Sequence, residues 1–420
     1  MPWCVSCVPK HRNNSDCIPE RVAVRPPFFV SGSSAKRCDF TIFAFEILCK
    51  MHLDTLSLFN FKNYAQDEFT FCPKINCLIG GNGVGKTNVL DAIHYLSLCK
   101  SCINPIDSQN IRYEADGFVI QGTYTRDGQQ ESISCGVRHR QKKVFKHNRK
   151  EYEKLSEHIG RFPLVMVSPM DNGLISEGSE ERRRFMNEVI SQYDTGYLLH
   201  QIQYNRTLAQ RNMLLKQAAE IGRLDMAVLD ALDMQLAMKG QQIFQARTAF
   251  SKALIPIFQQ YYQLISNGQE AVTLTYRSQL QQEDMYDLLK KQLEKDRLLS
   301  YTSAGIHRDD LLLEMDGLSI KRTGSQGQQK TFLTALKLAN YVFIRDNCRI
   351  KPMLLLDDIF DKFDAERVGR IMHIISRNDF GQVFITDTDE RRLRPILEEM
   401  TCPFEVISIH RDANKNTTAD

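Results

Sequence analysis

Residues 80–87 read Gly-Gly-Asn-Gly-Val-Gly-Lys-Thr, a combination of types and spacing suited to holding phosphate. The glycines let the backbone curl until its N–H groups face an anion. Lys86 is placed to reach β- and γ-phosphates, and the Thr87 hydroxyl can ligate Mg²⁺. All eight residues, Gly80, Gly81, Asn82, Gly83, Val84, Gly85, Lys86 and Thr87, are therefore expected to bind a nucleotide, with Lys86 also serving catalysis. A helix opening at the loop would add its partial positive charge.

A second constellation lies far along the chain. Met353-Leu354-Leu355-Leu356-Asp357-Asp358 is an apolar run ending in two carboxylates, as a buried strand delivers acids to its carboxyl end. Asp357 is expected to hold Mg²⁺, directly or through water, and Asp358 to orient or activate an attacking water. Upstream, Thr323-Gly324-Ser325-Gln326-Gly327-Gln328-Gln329-Lys330 is a small polar loop opening a helix whose inner face carries Phe332, Leu333, Leu336 and Leu338. The Ser325 hydroxyl, the Gly327 amide and the helix N-terminus, with Gln326 and Gln328, make a second surface for phosphate. One site does not need two such loops from one subunit, so this one is expected to close on the nucleotide of a second copy. The competing reading is an ordinary capped helix. Asp361-Lys362-Phe363-Asp364 would then lie at the same interface.

The elements that must position these groups follow from the pattern. An apolar strand, Ile75–Ile79, precedes the loop, and a helix with Val89, Leu90, Ile93 and Leu96 on one side follows it. From Met51 to Phe162 the signals are mostly β, with strands expected at 52–61, 68–71, 117–124 and 131–138, and another at 163–168. The stretch from Glu180 to Ile265 is rich in Leu, Ala, Gln, Met and Arg, with a turn at Gly222. It reads as an antiparallel helical arm inserted into an α/β domain, or as a bundle supporting the core. From Ser300 the α/β character returns. The expected organisation is an atypical leader at 1–50, disordered or not native, with the folded chain opening at Met51. The first part of a P-loop head follows at 51–179, an arm at 180–299, the second part of the head at 300–410, and a disordered tail at 411–420.

The whole-chain balance is almost neutral: 54 Lys and Arg against 51 Asp and Glu give a formal net charge of +3 over 420 residues. A nucleic-acid surface must then be a local patch. The densest basic run holds Arg138, Arg140, Lys142, Lys143, Lys146, Arg149 and Lys150. It reads either as a solvated hairpin or as a surface that tracks DNA phosphates. Of 12 cysteines, Cys4, Cys7, Cys17, Cys38 and Cys49 fall in the leader. Cys77 and Cys402 stand in apolar contexts that suit buried free thiols. No apolar stretch approaches a membrane span.

These motifs together resemble the RecF recombination mediators, ABC-type ATPases related to the SMC proteins. The likeness runs from Met51 to about His410. Gly80–Thr87, with its Asn82, resembles the phosphate loop of the RecF and SMC subtype. Ser325-Gln326-Gly327-Gln328 resembles the signature motif, and Leu354–Asp364 the Walker B strand and D-loop. Phe61-Lys62-Asn63-Tyr64 is similar to a Phe-Arg-Asn-Tyr segment, with Lys62 for Arg. Ala304–Asp310 is similar to a Gly-Pro-His-Arg-Asp-Asp segment, with Ile306 for Pro, and Glu181–Phe185 to an Arg-Arg-Phe segment. Where related ATPases carry a switch His, Thr386 and Asp387 stand.

The resemblance implies an ABC-type ATPase head, a mixed-sheet P-loop domain, with an inserted helical arm. It implies ATP and Mg²⁺ as cofactors, a nucleotide contact from Lys62, slow hydrolysis used as a switch, and an ATP-dependent homodimer. It further implies binding to gapped or single-strand/double-strand junction DNA; the basic run itself offers Arg138, Arg140, Lys142, Lys143 and Lys146 as phosphate contacts, so that binding is expected to be sequence-independent. RecR- and RecO-type partners, help in loading recombinase during repair, replication and the SOS response, a cytoplasmic location and no membrane association complete the expectation. The alternatives are a nuclease-associated ATPase of DNA processing, for which the chain shows no spare acidic cluster, and a transport-associated ATPase subunit, which would not need the arm.

Overall fold

The computed structural model describes residues 48–266, 268, 270–360, 363–400 and 402–410. Most of the expected leader and all of the expected tail lie outside the described residues, as do Asp361 and Lys362 of the expected D-loop. In chain order the first elements are β1 (Met51–Phe61), β2 (Tyr64–Thr70), β3 (Ile75–Ile79), α1 (Lys86–Leu98), β4 (Gly117–Arg126), β5 (Gln129–Arg138), β6 (Val144–His147), β7 (Lys150–Glu151) and β8 (Leu164–Val167). Then come α2 (Gly173–Ser176), α3 (Ser179–Tyr193), α4 (Thr195–Ile221), α5 (Met226–Ser266), β9 (Val272–Arg277), α6 (Met285–Lys291) and α7 (Leu293–Leu299). The last stretch holds β10 (Asp310–Met315), β11 (Leu318–Ser319), α8 (Ile320–Thr323), α9 (Gln326–Cys348), β12 (Met353–Leu356), α10 (Ala365–Ser376), β13 (Val383–Asp387), α11 (Glu390–Glu398) and β14 (Phe404–Ser408).

Three sheets result. The central one is parallel, in the order β14-β3-β13-β12-β8. Apart from the half-exposed edge strand β14, its strands are short, mostly apolar runs, as burial on both faces requires; Leu354, Leu355, Leu356, Phe384 and Ile385 have no exposed surface. The second sheet is antiparallel, in the order β2-β1-β4-β5-β6-β7. Helix α1 lies between the two, in one core with Leu78 of β3 and Leu53, Ile120 and Ile133 of the antiparallel sheet. It is buried almost all round, including Asp91 and His94, where the sequence pattern showed only one apolar side. On the other face of the parallel sheet, α9 and the C-terminal half of α5 pack together through Phe258 against Phe332 and Phe250 against Phe343.

The helical stretch carries both readings made from the sequence. Helices α4 and α5 form an antiparallel pair around the turn at Gly222, whose φ of 77° ends α4. A helix of 27 residues spans roughly 40 Å. The apolar stripe of α5 continues into the head core through Leu254, Phe258, Tyr262 and Ile265. Inside the stretch expected to be a helical arm, Val272–Arg277 is instead a strand paired antiparallel with β10. Its alternation, Val272, Leu274 and Tyr276 inward against Thr273, Thr275 and Arg277, is the period-2 signal of a half-buried strand.

Candidate nucleotide site

The parallel register brings the chemistry to one edge. Ile79 lies beside Asp387, and Leu356 beside both Ile385 and Val167. The phosphate loop leaves β3, the acid pair leaves β12, and the end of β13 stands between them. Thr386 bridges the two sides. Its hydroxyl donates to Asp357 Oδ1 at 2.8 Å and accepts the Asp358 backbone N–H at 2.9 Å. The Thr87 hydroxyl donates to the same Asp357 oxygen at 3.0 Å. Loop and acid strand, far apart in sequence, therefore meet directly at the two groups expected to share Mg²⁺. Burial pushes the Asp357 carboxyl above its usual range, against the two threonine hydroxyls and the Lys86 charge, which hold it down. A buried carboxylate oxygen beside a hydroxyl is a hard oxygen pair that fits Mg²⁺. Asp358, by contrast, is exposed, with a φ of 49°.

The loop is gripped from behind by Asn63 and Tyr64, which the sequence marked only as part of a family-like segment, and by Asn88. Asn63 Nδ2 donates to Val84 O at 2.9 Å, Asn88 Nδ2 to Asn63 Oδ1 at 2.6 Å, and the Tyr64 hydroxyl to Gly85 O at 3.1 Å. Gly85 has a φ of 119°, and a Cβ there would fall 2.5 Å from Asn63 Nδ2; only glycine allows this approach. Behind Gly80, a Cβ would meet Ile409 O at 2.4 Å. Lys86 Nζ donates to Gly80 O and Gly81 O at 2.6 and 2.8 Å. Burial lowers the Lys86 pKa, while Asp358, Asp357 and Asp387 oppose that shift.

Lys62, expected at the nucleotide, is not brought to the loop. Its Nζ lies 2.5 Å from Asp91 Oδ2 of α1, with both side chains buried. A lysine beside a buried carboxylate is held by that charge, so Asn63 and Tyr64 are the members of this segment that touch the loop.

Helix α9 opens with a closed capping box. Ser325 Oγ accepts from Gln328 N at 3.2 Å, and Gln328 Oε1 accepts from Ser325 N at 2.8 Å. Gln328 Nε2 donates onward to Glu270 Oε1 at 3.0 Å. The capped-helix reading is therefore correct as far as it goes. Ser325 and Gln326 remain exposed, and Gly327 is half-buried with Arg367 NH1 3.3 Å from where its Cβ would be. A cleft of about 480 Å³ runs between Gln326, Gln329 and Lys330 of this helix, Asp358, and Ser168, Pro169, Asp171 and Asn172 after β8. No residue of the phosphate loop lines it.

The basic run is divided by the fold. Arg138, Arg140, Lys142, Lys146, Arg149 and Lys150 are exposed. Lys143 is turned inward: its Nζ reaches Asp107 Oδ2 at 2.9 Å and Cys99 O at 2.7 Å, and lies 5.0 Å from the Tyr95 ring. Lys143 lies in the loop just before β6, and the Asp107 carboxylate and the Cys99 carbonyl hold its ammonium against the fold. Arg138, Arg140 and Lys142 sit where β5 ends, beside the start of β4 and the end of β1. That is the end of the sheet from which Asn63 reaches the phosphate loop. Arg149 lies in the β6–β7 turn and Lys150 opens β7, at the other end of β6.

The two remaining segments of the family likeness meet at the root of the helical pair. Arg182 grips Asp310 with two bonds, at 2.6 and 3.1 Å. Arg183 donates to Asp309 O at 2.8 Å. Buried Arg247 of α5 donates to Asp309 Oδ2 at 2.7 Å, and the Tyr276 hydroxyl to the same oxygen at 2.5 Å. These groups fasten α3 and α5 to β9 and β10. The described cysteines are free, with Cys77 buried and Cys402 half-buried.

Among known proteins, a family model described as an AAA domain matches residues 55–330. The chain is 50% identical over 361 residues to the DNA replication and repair protein RecF of Parabacteroides distasonis, covering 86% of this chain and 98% of that relative. It is 48% identical over 364 residues to the protein of the same name from Bacteroides fragilis, with the same coverage. In three dimensions it resembles the recombination mediator protein RecF solved as RecF-ATP, with a TM-score of 0.77, 30% identity and coverage of 83% and 95%. A likeness to the Smc head domain of Pyrococcus furiosus, TM-score 0.51 at 16% identity, shows the shared fold. The ATPase-head fold class read from the sequence is the one that these structures share.

Proposed function

The chain belongs to the RecF family of DNA replication and repair proteins, and from that premise we propose an ATP-operated switch that dimerises around nucleotide and then holds DNA. The observation that carries the reading is the junction of Thr87, Asp357 and Thr386 at one sheet edge, paired with a separate helix N-terminus whose Ser325 and Gln326 face solvent. Gly80–Thr87 cradle the phosphates of ATP. Lys86 leaves the carbonyls of Gly80 and Gly81 for the γ-phosphate, exchanging two neutral acceptors for a charged one. Thr87 and Asp357 hold Mg²⁺, which when bound neutralises phosphate charge. Asp358, exposed beside them, orients the attacking water. Thr386 fixes the Asp357 carboxylate and the Asp358 backbone at once, taking the place where related ATPases carry a histidine. Ser325, Gln326 and Gly327 of a second copy close over the γ-phosphate, so that hydrolysis releases the dimer.

Arg138, Arg140, Lys142 and Lys146 supply phosphate contacts to DNA, preferring gapped or junction substrates without reading bases. RecR- and RecO-type proteins are the partners in loading recombinase, in the cytoplasm; no described helix is long and apolar enough to cross a membrane. The test is mass by light scattering with Mg²⁺ and either ATP or ADP, followed by duplex binding in a salt series. The reading expects a doubled mass with ATP alone and tighter DNA binding in that state. A monomer that binds ATP and DNA without changing mass would refute it.

A further inference from the structure

Between the nucleotide loop and the basic loop stands a side chain that neither reading uses. Tyr113 is 86% exposed, on a turn closed by the bond from Ala115 N to Arg112 O at 3.0 Å. Glu114 takes a left-handed φ of 64° to complete that turn, a conformation uncommon outside glycine. The turn is anchored on both flanks. On one side Lys62 N donates to Asn110 O and Arg112 N to Asn60 O, both at 2.9 Å; Asn63, next in sequence, holds the phosphate loop. On the other side His139 N donates to Asp116 O at 3.1 Å, and Gly117 pairs with Arg138. The missing side chain at Gly117 leaves room for Arg138, whose Cγ lies 2.8 Å from where a Cβ would be. A phenol ring is thus presented on a backbone fixed at both ends, with Arg112 before it and Arg138, Arg140 and Lys142 beside the strand it leads into.

We propose that Tyr113 stacks on an unpaired base of DNA whose phosphates are held by this basic loop, and so supplies the preference for gapped or junction DNA over blunt duplex. The inference rests on the DNA surface proposed above. Cationic side chains give affinity for any duplex, because every duplex offers the same phosphates. Preference for a discontinuity needs a group that gains only when a base is unstacked. An exposed aromatic ring is such a group, and it tolerates any sequence because every base has a π-face. Tyrosine can be fixed in place cheaply, having only two side-chain torsions.

The experiment measures, with ATP and Mg²⁺ present, affinity for gapped and blunt duplexes of equal length, and the fluorescence of 2-aminopurine placed as the first unpaired base. With the native chain the probe should be quenched on binding. Tyr113→Ala should abolish the quench and lower affinity for gapped DNA by roughly 5- to 150-fold, the range for losing one stacked base, while Tyr113→Phe keeps both. Gapped and blunt affinities falling together, or a probe equally quenched in Tyr113→Ala, would overturn the proposal. A drop in ATP affinity in Tyr113→Ala would place adenine on the ring and overturn it too. The paired variant Arg138→Ala with Lys142→Ala separates the layers. If it flattens the salt slope while Tyr113→Ala changes nothing, the stacking inference fails and the DNA surface stands. If the slope is unaltered, both fail.

Discussion

Two loops in this chain open a helix with a glycine and a hydroxyl nearby, and the molecule holds them in opposite ways. The loop at 80–87 is braced on every side by its own chain. Asn63, Tyr64 and Asn88 hold it from behind, Asp387 O accepts the Gly80 N–H at 3.3 Å, and Asp357 receives the Thr87 hydroxyl. The loop at Ser325 is closed by its own capping box and tied to Glu270 and to the carbonyl of Ile320, with Ser325 and Gln326 in solvent. A site that must bind phosphate unaided needs its donors fixed beforehand, because reorganising them at binding would cost affinity. A site that acts only when a second copy arrives has no such need. The difference in bracing is what an intact half-site and a trans-acting half-site should look like.

The acid proposed to orient water tests this contrast most severely. Asp358→Asn would remove that group while leaving the braced loop and the Thr87–Asp357 pair untouched. Hydrolysis should slow by about 10²- to 10⁴-fold, the usual worth of a positioned base. ATP affinity should hold, and the dimer should persist under ATP in light scattering. Unchanged turnover would move the water-positioning role to another residue. The two loops should then respond differently to substitution. Ser325→Arg places a bulky cation on the exposed loop, so ATP-driven doubling of mass should vanish while each subunit still binds ATP with native affinity in calorimetry. Lys86→Met should do the reverse at the first step. Removing a charge-assisted hydrogen bond costs about 1.5–3 kcal/mol, so ATP should bind roughly 10- to 150-fold more weakly, and dimer formation should weaken with it. If Ser325→Arg lowered single-subunit ATP affinity as much as Lys86→Met, the two loops would be acting in one chain and the contrast would collapse.

How far the sequence showed all this depends on the range of the signal. The phosphate loop, the Met353–Leu356 strand and the inner face of α9 are local patterns, and each formed where its residues pointed. Pairings across the chain left no such trace. Lys62 was expected at the nucleotide from its place in a family-like segment, and nothing near it in sequence shows that Asp91 of α1 lies against it in a buried pair. Thr386 was visible only as a residue standing where a histidine might have been; its bonds to Asp357 and Asp358 depend on β13 running between β3 and β12. The strand at 272–277 was hidden in helical surroundings, although its alternation was readable. Ser325 looked like a ligand group and also like a cap, and it is a cap with a free outer face.

The basic run offers the smallest effect and the sharpest check on reading charge from composition. Counting residues puts Lys142 and Lys143 on equal terms. The structure gives Lys142 to solvent and ties Lys143 to Asp107, Cys99 O and the face of Tyr95. Each DNA phosphate that a variant no longer neutralises should flatten the slope of log K against log[salt] by about 0.9 on duplex DNA. Lys142→Ala with Arg140→Ala should therefore flatten it by up to roughly 1.8, with ATP-driven dimerisation intact. Lys143→Ala should leave the slope where it was. Its cost should appear in thermal or urea unfolding instead, at about 1–2 kcal/mol for a missing charge-assisted bond to a partly exposed partner. A slope that flattened equally for Lys142→Ala and Lys143→Ala would mean that Lys143 leaves Asp107 to meet DNA, and the inward hairpin residue would belong to the binding surface after all.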